Sequence, residues 1–198
     1  MSDFTHGRLV GLLAEADRII FRHDVDYDPE CALRMAEVEH DHHVRATYYI
    51  MGRGSYNPFA ADVKRILYGI LALGHDLGCH VDLGLPRDAG VPDWVMSRAA
   101  IREHRLLSAE YPVTRKVSFH APPSAVYWRD VHGFDHAMSA NWRDRYLADS
   151  RGVWRDSPED ALEALRPGER LQLNLHPEWW FWPAEKADEW RVVEAAKP

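Results

Sequence analysis

The run IIFRHDVDYDP, residues 19–29, ends a greasy β-like stretch with two aspartates, Asp24 and Asp26. In an extended strand, residues two apart point to one face, so both carboxylates converge on one small volume while His23 and Val25 face the other side. Like charges this close resist joint ionisation unless a cation meets them. A metal site is therefore the chemistry the pair implies. Comparable groups recur further along: His80 and Asp82 in HDLGCHVDLG, His120 in SFHAPP and His176 in LNLHP. Aspartate and histidine together are the donors of a hard-to-borderline divalent metal, and the same types serve as acid and base in metal-assisted hydrolysis.

These residues can meet only if the elements that carry them end on one side. Apolar runs that read as strands cover 19–25, 44–53, 75–84, 115–123, about 136–141 and 170–180, and 145–154 reads as strand and loop. Helical spacing fills most of the gaps: 29–42 behind Pro29, 59–73 before Gly74, 91–112, and a capped helix from Ser157. Near Val126–Val131 a short helix is expected. Alternation of this kind, without repeats or a low-complexity linker, predicts one α/β domain over residues 1–198 with a mainly parallel sheet or barrel. Right-handed crossovers bring all the strand C-termini to one rim. Within 76–82 and 172–176 the polar residues share one face and the apolar residues the other, which sends the polar groups to that rim.

Composition narrows the partners. The 198 residues carry a net charge of −7 and no sustained basic stripe, which argues against a nucleic-acid partner. No apolar run is long enough to span a bilayer, and the opening residues lack a basic stretch followed by a long apolar core. Cytoplasmic residence is the resulting expectation. The two cysteines, Cys31 and Cys79, lie on apolar patterns and read as buried small hydrophobes rather than a disulfide.

In order and spacing, RHDVD (22–26), GHDLGCH (74–80), SFHAPP (118–123) and LNLHP (173–177) resemble the motifs of the NodB-homology polysaccharide deacetylases, carbohydrate esterase family 4. The resemblance spans about residues 19–180. It implies a distorted, TIM-barrel-like (β/α)7 barrel and metal-dependent removal of an acetyl group from an N-acetylated sugar or glycan precursor. Carried over residue by residue, it implies Asp24 as general base, Asp26 and His80 as metal ligands, and His176 as the general acid. Asp149, in LADSRGVW, stands where the family keeps the carboxylate that orients that histidine. The expected cofactor is a divalent metal, zinc first. Two positions depart from the family: Gly84 stands where a second metal histidine belongs, and His120 where an arginine orients the base. A catalytic zinc takes three protein ligands, so His120, and after it Asp82, is expected to complete the set.

Other residues have weaker claims. Trp179, Trp180 and Trp182 in EWWFWP offer area and an N–H for stacking on a sugar, or else seal the packing. Arg151 is a candidate for an anionic group on the substrate. His23 and His75 are expected to be structural, and His6, His40, His42, His43, His104, His132 and His136 to lie at the surface or in loops. The competing reading is a barrel of the same form that binds a glycan or a partner protein without hydrolysis.

Overall fold

The computed structural model describes residues 4–139 and 145–195. Seven of the apolar runs form strands: β1 (Ile19–Val25), β2 (Thr47–Ile50), β3 (Asp76–Asp82), β4 (Val113–His120), β5 (Asp135–His136), β6 (Arg145–Ala148) and β7 (Leu171–Leu175). They join in one sheet in the order β5-β4-β3-β2-β1-β7-β6, and every ladder is parallel. The sheet curls into a distorted (β/α)7 barrel, open between β5 and β6 among the described residues. Central β1 lies between β2 and β7, so what it carries is flanked on both sides.

Helices α1 (His6–Leu13), α2 (Pro29–Asp41), α3 (Ala61–Ala72), α4 (Asp93–Ser108), α5 (Pro158–Glu163), α6 (Pro177–Phe181) and α7 (Ala184–Ala195) supply the crossovers and ends. None is long and apolar enough to cross a membrane. Ser157 caps α5 by accepting a bond from the Asp160 amide, as its sequence signature predicts. Pro29 occupies the first turn of α2, where its missing N–H costs nothing.

The strand alternation sends His23 toward α2, where a polar knot is buried under the sheet. Glu39 of α2, with no exposure, accepts from His23 Nε2 at 2.6 Å and from the Tyr48 hydroxyl at 2.6 Å. His75 sits 3.7 Å from the same carboxylate and is bonded to the Ala36 carbonyl, while its Nδ1 accepts from the Ala46 amide. Both histidines are structural, as expected, and both cysteines are buried.

Four expectations are corrected. The last strand stops at Leu175, because Pro177 has no amide to donate to the ladder and starts α6 instead. Residues 124–126 form a single 3-10 turn rather than a helix over 126–131, and the following strand is only Asp135–His136; the expected continuation to 140–141 lies outside the described residues. His136 is not at the surface: it is 2% exposed, packs edge-on against Phe119 and donates from Nδ1 to the Arg129 carbonyl at 2.6 Å.

Replacing Glu39 with alanine would strand two buried polar groups at once. Urea unfolding of Glu39→Ala is expected to show a stability loss of about 3–5 kcal/mol, the range for breaking a buried polar pair, with a smaller loss for Glu39→Gln. Equal stability of Glu39→Ala and the parent would show that the knot holds nothing.

Candidate active site

Past its last paired residue, β1 delivers Asp26 to the rim, and two hydrogen bonds hold the backbone there. The Tyr56 hydroxyl donates to the Val25 carbonyl at 3.0 Å, and the Ser55 hydroxyl donates to the carbonyl of Asp26 itself. Asp26 is 7% exposed. Its Oδ1 lies 3.0 Å from His80 Nε2 and 3.1 Å from His120 Nδ1, so that residues of β1, β3 and β4 present one donor atom each to a common point. Burial would raise the Asp26 carboxyl, but hydrogen bonds and charge from His120 and His80 outweigh it and bring it well below the usual carboxylate range. The set fits a divalent metal. Bonds of about 2.0–2.2 Å to one carboxylate oxygen and two imidazole nitrogens put donors roughly 3 Å apart, which is the distance from Asp26 Oδ1 to each imidazole, and all three donors lie within 4.8 Å of one another. Of the two residues expected to complete the set, His120 is in place. Asp82 is exposed and caps its own turn, accepting from the Gly84 amide at 2.8 Å.

Asp24 has different company. Arg22, two residues earlier on the same face, donates from Nε to Oδ1 at 3.0 Å and from Nη2 to Oδ2 at 2.5 Å. Ser118 Oγ donates to Oδ1 at 3.0 Å and Asn174 Nδ2 to Oδ2 at 3.1 Å. An ionised carboxylate has about four lone-pair sites, and here four donors occupy them. Burial opposes ionisation, yet Arg22 first, then His80 and His176, hold the Asp24 carboxyl at about 2. The base role that the resemblance implies would need one of these four donors to give way to water. Two of the four come from Arg22, whose guanidinium is 1% exposed and lies over the Tyr49 ring at 5.5 Å. Gly78 makes room for that ring: a Cβ there would meet Tyr49 Cδ1 at 2.8 Å.

Across the rim, β6 and β7 deliver Asp149 and His176. His176 Nδ1 donates to Asp149 Oδ1 at 2.6 Å, and the His176 amide reaches both carboxylate oxygens at 3.0 and 3.1 Å. Trp180 Nε1 donates to Asp149 Oδ2 at 2.7 Å. A carboxylate only accepts, so the His176 proton is fixed on Nδ1 and Nε2 is turned to the site, 3.8 Å from Asp26 Oδ2. Burial lowers the affinity of His176 for a second proton; Asp149 overrides this, with Asp26 and Asp24 adding to it, and the imidazole is pushed up to about 10. In the metal-free protein it is an imidazolium, a proton donor.

The two tryptophan candidates do not reach the site as stacking faces. Trp179 and Trp180 are 5% and 7% exposed and packed on other rings, Trp179 against Trp182 and Trp180 against Phe4 and Trp154, so neither offers a face to a sugar. Trp180 instead holds Asp149. Arg151 is exposed on a one-turn 3-10 segment just past Asp149, at φ 61°. Sequence reasoning passed over Arg22, Ser118 and Asn174. Arg22 carried a signal, since it shares the face of Asp24 and Asp26 at the same spacing of two. It also passed over Glu178, which is fully buried; burial, reinforced by the charge of Asp26, raises its carboxyl well above the usual carboxylate range.

No protein-family model matches the chain, and no curated protein does. Among solved structures it is similar to a CE4 family pseudoenzyme from Bacillus anthracis, at 16% identity and a TM-score of 0.52, with 89% of this chain and 59% of that one covered. It is also similar to a peptidoglycan N-acetylglucosamine deacetylase, at 15% identity and a TM-score of 0.50, over 91% and 84% of the two chains. The chitin deacetylase of Colletotrichum lindemuthianum matches at 15% identity with a TM-score of 0.48, over 89% and 81%. Identities this low establish the shared barrel. Of these three, the two at a TM-score of 0.50 or above are a CE4 family pseudoenzyme and a peptidoglycan N-acetylglucosamine deacetylase.

The dyad makes a measurable statement about the metal-free protein. A histidine whose pKa is raised on folding adds stability in full below its unfolded value, about 6.5, and loses it as pH climbs toward its folded value. NMR titration should find His176 protonated up to about pH 10, and Asp149→Asn should bring that midpoint down; an unshifted midpoint in the variant would remove Asp149 from the dyad.

Proposed function

We propose that this chain is a metal-dependent hydrolase that deacetylates an N-acetylated sugar. Asp26, His80 and His120 would hold the metal, zinc in the first instance. When bound, such an ion polarises an amide carbonyl and lowers the pKa of water from about 15.7 toward 7. His176, with its proton-bearing Nδ1 held by Asp149, keeps Nε2 beside the donor cluster, where it protonates the leaving amine. One observation carries the proposal: the two oxygens of a single buried carboxylate face the metal donors on one side and His176 on the other. The acetylated sugar rests on the resemblance of four motifs and on the barrel shared with a peptidoglycan N-acetylglucosamine deacetylase. A soluble or lipid-linked precursor of a polysaccharide is the substrate we favour.

A second reading draws support from the filled coordination of Asp24 and from the pseudoenzyme among the structural neighbours. On that reading the barrel binds a glycan without hydrolysing it.

Elemental analysis of the purified protein should find about one transition-metal ion per chain, lost in Asp26→Ala and in His80→Ala. Acetate release from nucleotide-linked N-acetyl sugars should accompany it, and His176→Gln should keep the metal while slowing release by about 10²- to 10⁴-fold, the range for acid–base catalysis. Metal without acetate from any N-acetylated sugar would favour the binding reading. A metal content near zero after reconstitution would sink the hydrolase.

A further inference from the structure

Ser118 sits between the two halves of the site. Its register partner across the β3–β4 ladder is His80, and its side chain is completely buried. Its Oγ lies 2.6 Å from His80 Nδ1 and 3.0 Å from Asp24 Oδ1. A hydroxyl has a single proton to give, and the carboxylate can only accept. The Ser118 proton therefore goes to Asp24, and the Ser118 oxygen accepts from His80. That puts a proton on His80 Nδ1 and reserves Nε2, 3.0 Å from Asp26 Oδ1, for the metal. Asp24 can hold this end of the chain only if its own position is fixed. Arg22 fixes it with two bonds from the same strand, and Asn174, the register partner of Arg22 on β7, closes the other oxygen.

From this geometry we infer that Arg22, Asp24 and Ser118 form a positioning relay that sets which nitrogen of His80 binds metal, and that Asp24 transfers no proton in the reaction. The inference rests on the reading of Asp26, His80 and His120 as metal ligands. It gives the site a division of labour in which a charge pair internal to β1 does the orienting. Outer partners that orient a metal-bound histidine are worth roughly 10- to 100-fold in metal affinity. A general base is worth about 10²- to 10⁴-fold in rate. The two roles for Asp24 thus register in different measurements.

The test compares wild-type chain, Ser118→Ala and Asp24→Asn for zinc affinity by competition with a chromophoric chelator, for melting of the metal-free protein, and for turnover at saturating zinc. For the relay, Ser118→Ala binds zinc about 10- to 100-fold more weakly while its metal-free melting stays close to that of the wild type. Asp24→Asn also loses zinc affinity, and loses more there than in turnover at saturating zinc. Full zinc affinity in Asp24→Asn with turnover down by about 10²-fold or more would make Asp24 the base and overturn the inference. If Asp24→Asn does not fold, Ser118→Ala decides alone: undiminished zinc affinity overturns the relay and leaves the hydrolase standing. Failure of the wild type to bind zinc at all overturns the hydrolase, and the relay with it.

Discussion

Two carboxylates two residues apart on the central strand must both be ionised in a buried place, and the site is organised by how each charge is met. Asp24 is met from within its own strand, by Arg22. Asp26, one step nearer the rim, is met by imidazoles from β3 and β4 and approached by a third from β7. Desolvating either charge without such partners would cost several kcal/mol. The solutions differ in kind, because a guanidinium is always charged and grips both oxygens of a carboxylate at once, whereas a neutral imidazole can turn a lone pair to a cation instead. One aspartate is thereby fixed, and the other stays available to a cation.

The parallel sheet makes this arrangement possible at modest cost. Because every ladder is parallel, the residue after each strand emerges on the same side, and the ends of β1, β3, β4, β6 and β7 contribute to one rim. The barrel's interior face is filled by large polar side chains rather than by layers of aliphatic ones: Arg22 with Tyr49 above it, and Asn174 within 3.4 Å of the Tyr146 hydroxyl. A glycine on β3 accommodates the tyrosine that covers the arginine. Aliphatic packing is concentrated between sheet and helices, where Leu9, Leu67, Met35, Leu107 and Leu173 have no exposure.

Much of this was legible in the sequence, for reasons that separate cleanly. Period-two alternation fixes which face a residue takes once a strand is recognised, and so Asp26, His80, His120 and His176 could be sent to one rim without coordinates. Contacts that depend on register could not be foreseen. Ser118 meets His80 only because β4 is aligned with β3 at that step, after a register shift between Leu77 and Cys79, and nothing local to SFHAPP announces it. The tryptophans after His176 could not be decided for a related reason: an aromatic run past a strand end reads as a platform for a sugar or as packing, and it is Pro177 that turns it into a helix that packs inward. Arg22 was in plain view and passed over because arginine inside an apolar strand reads as an intrusion, when its spacing from Asp24 made it the nearest available counter-charge.

Gly84 stands at φ 62° on an exposed turn whose first residue, Asp82, bonds back to its amide. Left-handed backbone strongly disfavours most side chains. A histidine introduced there would carry the strain of a left-handed side chain, as His43 does at φ 58°. Asp26, His80 and His120 meet without any residue of that turn, so its length and sequence can change while the donor cluster stays intact.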